Sequence, residues 1–240
     1  MSDGAVIDES IVAATSGDNA YAKPREVPTV NDVPAAGPLP ASCNVALKEW
    51  AAVGRAIAAG SDSLLIRAGG IDDPAGRFGF SAGSFWLFPT RYHEAATRLV
   101  PSAAGFAMEA GCMEGPPAID LLLQRVAVRW VDSEELLERL APLHVLAPEV
   151  VAQRFSYRTP GVAVALVEAW RRAEPHFVEE TPEMAGCKSW LSLPRPLSCD
   201  LLEPVLPVES RRERAELFFG VVGGGPTGGR PQTGGGKAGG

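Results

Sequence analysis

The stretch AIDLLLQRVAVRWV, residues 118–131, is the strongest constraint on how this chain can fold. Val126, Val128 and Trp130 recur at every second position, the period that sends neighbouring side chains to opposite faces of a β-strand. That predicts a strand with one wet face. DSLLIRAGGI (62–71) and SFWLFPT (84–90) predict two more strands, one ending in a Gly pair and one closed by Pro89, joined by a loop through Asp72-Asp73-Pro74 and Gly76. GVAVALVEAWRRA, from Gly161, fits helix or strand by period, and its Val content and leading Gly favour strand. CKSWLSL, from Cys187, predicts a final short strand.

Helices fall between these runs. In NVALKEWAAVGRAIAAG, Val45, Trp50, Val53 and Ile57 recur at spacings near three and four, which predicts an amphipathic helix capped by Asn44 and ended before Gly60. Thr90 is placed to cap a helix running to about Leu99. A loose Ala/Gly/Pro loop follows. Asp132 stands three residues before Glu135, a capping-box spacing that opens a short acidic helix, and APEVVAQRF predicts another. Strands and helices alternate without regular βαβ spacing, so the expected class is α+β, a single domain on a mixed or antiparallel sheet with several short helices.

The flanks differ from this body. Residues 1–42 are rich in Asp, Glu, Pro, Ala and Ser and bury too little apolar surface to offset chain entropy, which predicts a disordered arm. From Gly220 the chain is a Gly/Pro tract, the composition of flexible coil. The expected division is therefore arm 1–42, globular body 43–219 and tail 220–240. The arm holds six acids against two bases and the tail two bases and no acid, so of the net charge of -7 the body keeps -5. An acidic body argues against broad, non-specific nucleic-acid binding but leaves room for a local basic groove. No cationic segment followed by an apolar core opens the chain, and no apolar run approaches the ~20 residues that span a bilayer, so a cytoplasmic protein without membrane partners is expected. Cys43, Cys112, Cys187 and Cys199 show no CxxC spacing and are expected as thiols.

Several islands in order, ALKEWAAVGRAI (46–57), LLIRAGGI (64–71), FWLFPTRYHE (85–94), QRFSYR (153–158) and GCKSWLSL (186–193), resemble the bacterial family of domain of unknown function 1802 across roughly Ala46 to Leu193. The matching residues are Lys48, Glu49, Trp50, Arg67, Gly69, Gly70, Ile71, Pro89, Thr90 and His93. Ala68 stands where a Lys usually precedes the Gly pair, and Glu94 where a Gln usually follows the His. The family's name declares no activity. The resemblance implies an association with restriction-type systems and thus a DNA-related role, although the chain carries no D…ExK nuclease pattern.

Several residues could carry chemistry. With Thr90 as cap, His93 stands where free backbone N–H groups favour neutral imidazole, suiting it as a general base or, more plainly, as the capping-box residue of that turn. Arg67 with Gly69-Gly70 offers a guanidinium fork beside a turn whose N–H groups can meet an anion, or a turn that merely needs positive φ. Lys48 and Glu49, about 100° apart on a helix, send one side chain toward Arg67 or His93 or form a solvated face. Cys187 beside Lys188 is a thiol activated by a cation or small core filling. Arg154, Tyr157 and Arg158 can stack bases and hold phosphates or anchor a helix end. His93, His144 and His176 show no metal-site spacing, and neither metal nor cofactor is expected.

The expected function is an accessory domain that binds a phosphate-bearing ligand, a nucleotide or nucleic acid. Its candidate ligand residues are Lys48, Arg67, Gly69, Gly70, Arg91, Arg154, Tyr157 and Lys188, with His93 in the same pocket. Two alternatives stay open. One is a hydrolytic or transferase enzyme with His93 as base and Glu49 or Lys188 as partner; the other is a structural or partner-binding protein tethered by its tails, its protein partner unspecified.

Overall fold

The computed structural model describes residues 37–70, 73, 76–90, 96–111, 115–184, 186 and 188–223. The chain runs β1 (Ser42–Trp50), α1 (Ala51–Ala58), β2 (Leu64–Arg67), β3 (Ser84–Thr90), α2 (Ala104–Gly111), β4 (Ala118–Val131), α3 (Glu134–Arg139), α4 (Pro148–Phe155), β5 (Val162–Phe177), β6 (Trp190–Ser198), β7 (Glu203–Pro204) and α5 (Val208–Val222). The class is α+β on one mixed sheet. Its strand order is β2-β5-β4-β3-β1-β6, and β7 also pairs with β5. β1 and β3 run parallel; the other pairings are antiparallel.

Both sheet faces are covered at its centre. On β3, Phe85 and Leu87 enter the larger core while Trp86 and Phe88 enter a second one; on β4, Leu121 and Leu123 oppose Leu122 in the same way. That explains the unbroken FWLF and LLL runs, since a strand buried on both faces has no polar alternate positions. The wet face expected of β4 is confined to its second half, where residues 125–130 are only half-buried.

The predicted first helix is corrected. Residues 42–50 form a strand, and the helix begins only at Ala51. Val45, Trp50, Val53 and Ile57 do fit one helical face, but Ala46 and Leu47 are each fully buried on opposite sheet faces, a burial that only the strand provides. The end of α1 is as expected: Gly60 adopts φ +72°, with its N–H on Ile57 O and that of Ser61 on Ala56 O, a Schellman closure. The α3 cap moves by one residue, because Ser133 Oγ, not Asp132, accepts the Leu136 N–H at 3.4 Å. The Ala-rich stretch expected as loose loop contains α2.

The sheet curls until its ends meet. Register shifts opposite Cys43–Val45, opposite Ile119–Leu121 and between Arg125 and Ala127 leave extra residues in β6, β5 and β4 respectively, irregularities that bend those strands. Arg67, the last residue of β2 at one end of the order, donates through Nη2 to Ser189 Oγ at 2.6 Å, just before β6 at the other end. Phe78, Phe80 and Phe85 surround Trp190 beside this joint, and the Trp190 indole N–H donates to Gly79 O at 2.9 Å. Pro194 and Pro196 remove N–H groups from β6, an edge strand where such losses are tolerated.

Candidate functional site

Strand alternation decides where Glu49 goes. Leu47 faces the larger core, so Glu49, two residues on, shares its face and is only 2% exposed. A buried carboxylate needs partners, and it has them. Arg67 Nη1 approaches Oε2 at 3.2 Å, Arg154 Nη2 from the last turn of α4 approaches Oε1 at 3.7 Å, and the Trp50 N–H donates to Oε1 at 2.9 Å. Arg67 Nη1 also donates to Lys48 O, and Arg154 Nη1 to Ile66 O. Aromatic rings flank the guanidiniums: Arg154 and Arg98 each lie 4.8 Å from the Trp50 ring centroid, and Arg67 lies 5.0 Å from that of Phe78.

The charges do not cancel. Burial alone would raise the Glu49 pKa, but the fields of Arg67 and then Arg154, with the hydrogen bonds from Trp50 and Arg67, carry it below the usual carboxylate value. Glu49 is thus ionised with both oxygens occupied, which suits it to orient guanidiniums rather than to take up a proton. Two guanidiniums thus meet one carboxylate, and Arg98 joins them only through the Trp50 ring. The Arg67 and Arg154 side chains keep 19% and 16% exposure.

The Gly pair after β2 serves close approach. A Cβ on Gly69 would sit 1.6 Å from Gly76 O, so only glycine lets the two limbs of this turn touch. Positive φ, expected at the pair, occurs instead at Gly76. The Gly70 N–H donates to Asp73 Oδ2 at 2.6 Å, so that donor is committed inside the turn.

Glu49, Arg67 and Arg154 therefore converge, with Gly69 and Gly70 directly after Arg67. The Lys48 side chain leaves on the other face and donates to Gly186 O at 2.9 Å. Lys188 is exposed beside Ser189, and Tyr157 is exposed three residues after Arg154. Arg91, His93 and Cys187 lie outside the described residues, as does most of the helix expected after Thr90. The Thr90 hydroxyl donates to Glu49 O at 3.1 Å, tying β3 to the node.

Sequence reasoning overlooked four participants. Arg98 and Ser189 are ordinary residues whose roles arise from distant pairing. Asp62, 2% exposed, accepts the N–H of Leu64 at 2.8 Å and that of Val145 at 3.1 Å. Burial raises its pKa to about 7 against these hydrogen bonds, and the charge of Glu49 adds to the rise. His144, next to Val145, is buried and accepts the Leu146 N–H on Nδ1 at 3.2 Å. Burial, then the positive charge of Arg154, lowers its pKa to about 4.

A separate cavity of about 390 Å³ lies between α1, α2 and the ends of β3, β4 and β5, lined by none of the candidate residues. Among the described residues no three His, Cys, Asp or Glu side chains group as metal ligands, and no helix is long and apolar enough to cross a membrane.

The family model described as "Domain of unknown function (DUF1802)" matches residues 46–216, a span that contains every element from β2 to β7 and the whole node. No curated protein matches the chain. Solved structures of ASCH from Zymomonas mobilis and of two of its point variants are similar at 13–14% identity, with TM-scores of 0.37–0.38, over 62% of this chain and 86–88% of theirs.

Proposed function

Since the chain belongs to the DUF1802 family, whose function is unassigned, we propose a function from its own residues: binding of a phosphate-bearing ligand, a nucleotide or nucleic acid, at the Arg67–Glu49–Arg154 node. The observation that carries this is the charge excess. A chain of net charge -7 brings both Arg67 and Arg154 onto the buried carboxylate of Glu49, with Arg98 over the same Trp50 ring as Arg154. Guanidiniums already oriented by a carboxylate and by aromatic rings lose little freedom on meeting an anion, and their planar forks match phosphate. Lys188, beside Ser189, is an exposed cation at the rim. Arg91 and His93 remain candidates for the same pocket. With this reading go the restriction-type setting, the bacterial cytoplasm, and the division into arm 1–42, body 43–219 and tail 220–240.

Titration calorimetry with ATP and a short oligonucleotide tests it. Arg67→Glu should abolish binding; Arg67→Lys, which keeps the charge but not the fork, should weaken it about tenfold. Either variant, folded by circular dichroism and binding like wild type, would sink the proposal. A second reading, a purely structural clasp, draws support from the Arg67–Ser189 bond that joins the sheet ends. It predicts that Arg67→Lys lowers stability and that neither protein binds either ligand.

A further inference from the structure

The loop after α4 is a closed excursion. It leaves at Phe155 and returns at Gly161, whose N–H donates to Phe155 O at 2.9 Å, while Ser156 Oγ donates to Ala152 O at 2.9 Å. Between these anchors Arg158 is held at φ +60°, a left-handed conformation that a side chain bearing a Cβ rarely adopts. Its guanidinium lies 5.4 Å from the Tyr157 ring centroid, and both side chains are exposed, Tyr157 by 49%. An exposed aromatic ring carrying a cation, presented on a pinned loop, has little to stabilise in the protein alone.

This loop abuts the node. Thr159 Oγ1 is 3.2 Å from where a Cβ on Gly76 would stand, and Gly76 touches Gly69, two residues past Arg67. Gly161 packs against the Trp130 ring, over which Arg77 lies at 4.8 Å. Arg67, Arg77, Arg98, Arg154 and Arg158 each cover an aromatic ring. They come from different elements, a spread wider than one phosphate group requires. A bare phosphate needs no exposed ring either, whereas an unpaired base stacks on one, and a neighbouring guanidinium adds to the attraction. Bases inside a duplex cannot reach an isolated side chain in this way.

Resting on the phosphate-ligand reading above, we propose that the ligand is an unpaired nucleic-acid strand, one base of which stacks on the exposed Tyr157 ring beside Arg158 while its phosphates run to Arg67 and Arg154. Fluorescence anisotropy with a labelled pyrimidine strand of about ten nucleotides tests this, with an abasic strand of equal length and a duplex as competitors. Tyr157→Ala should weaken the strand about tenfold or more and leave the abasic strand unchanged, Tyr157→Phe should bind like wild type, and the duplex should compete poorly. Arg67→Glu should weaken base-bearing and abasic strands alike. If Tyr157→Ala binds the strand as wild type does, the base platform is overturned and the phosphate reading stands. If wild type binds neither strand, the strand proposal falls, and the phosphate reading falls with it only if ATP is not bound either.

Discussion

Glu49 and Asp62 are both carboxylates at 2% exposure, and the negative charge of Glu49 reaches Asp62. Burial acts on them alike, yet their pKa values move in opposite directions. Glu49 has two guanidiniums within 4 Å and stays ionised below the usual range; Asp62 has two backbone N–H donors and only the weaker, more distant field of Arg214, and rises to about 7. Formal positive charge, not hydrogen bonding alone, decides which buried acid keeps its charge. The first therefore belongs to a place that holds surplus cations, and the second to a joint, the tie between the α1–β2 turn and Val145.

The largest test removes the charge that defines one side of this contrast. Glu49→Gln leaves two largely buried guanidiniums uncompensated and should cost about 3–5 kcal/mol in urea denaturation. A cost below about 1 kcal/mol would mean that solvent, not Glu49, satisfies Arg67 and Arg154. The same substitution should lower the Asp62 pKa by removing a neighbouring negative charge.

Asp62→Asn should cost about 1–3 kcal/mol, because an amide offers one acceptor where two backbone N–H groups point. That cost depends on pH. Since the Asp62 pKa is about 7 in the folded chain and about 3.9 unfolded, the folded state holds the extra proton between these values. Its contribution to stability is full below about pH 4 and is lost as pH rises through 7. The cost of Asp62→Asn, measured by denaturation at a series of pH values, should thus be greatest near pH 4 and smallest above 7.

His144 runs the other way. Its folded pKa of about 4 lies below the unfolded value of about 6.5, so its contribution is present above 6.5 and lost as pH falls toward 4. The two slopes oppose each other in that window. His144→Asn, which keeps an acceptor near the Leu146 N–H, should leave the Asp62 slope unopposed, so that stability falls more steeply between pH 4 and 6.5 than in wild type. An unchanged slope would show that His144 titrates as an exposed imidazole. The smallest effect belongs to a pair without burial: Arg212→Ala, which removes the exposed α5 pair with Glu216, should change stability by no more than about 0.5 kcal/mol.

Much of the sheet was legible in the sequence because β2, β3, β4 and β5 combine β-favouring runs with Gly or Pro punctuation. β1 was not, for two reasons. Burial on both faces erases the alternation, and no Gly or Pro separates Trp50 from Ala51 where strand becomes helix. That one misreading hid the node: on a helix Lys48 and Glu49 diverge by about 100°, whereas on a strand they face opposite ways and Glu49 must enter the core. Arg67 and Arg154 were visible as cations near turns, but their shared carboxylate was not. Asp62 and His144 carry no local signal, since their environment is built by chain 80 or so residues away.

On the proposed reading, Arg67 and Arg154 form an anion site that Glu49 orients but does not neutralise. The most direct measurement follows the guanidinium Nε–H resonances of the 15N-labelled protein during titration with a short oligonucleotide. The Arg67 and Arg154 signals should shift saturably while that of Arg212 stays in place. If Arg67 and Arg154 stay unmoved, or all arginines drift together without saturation, the node is a structural clasp and not an anion site.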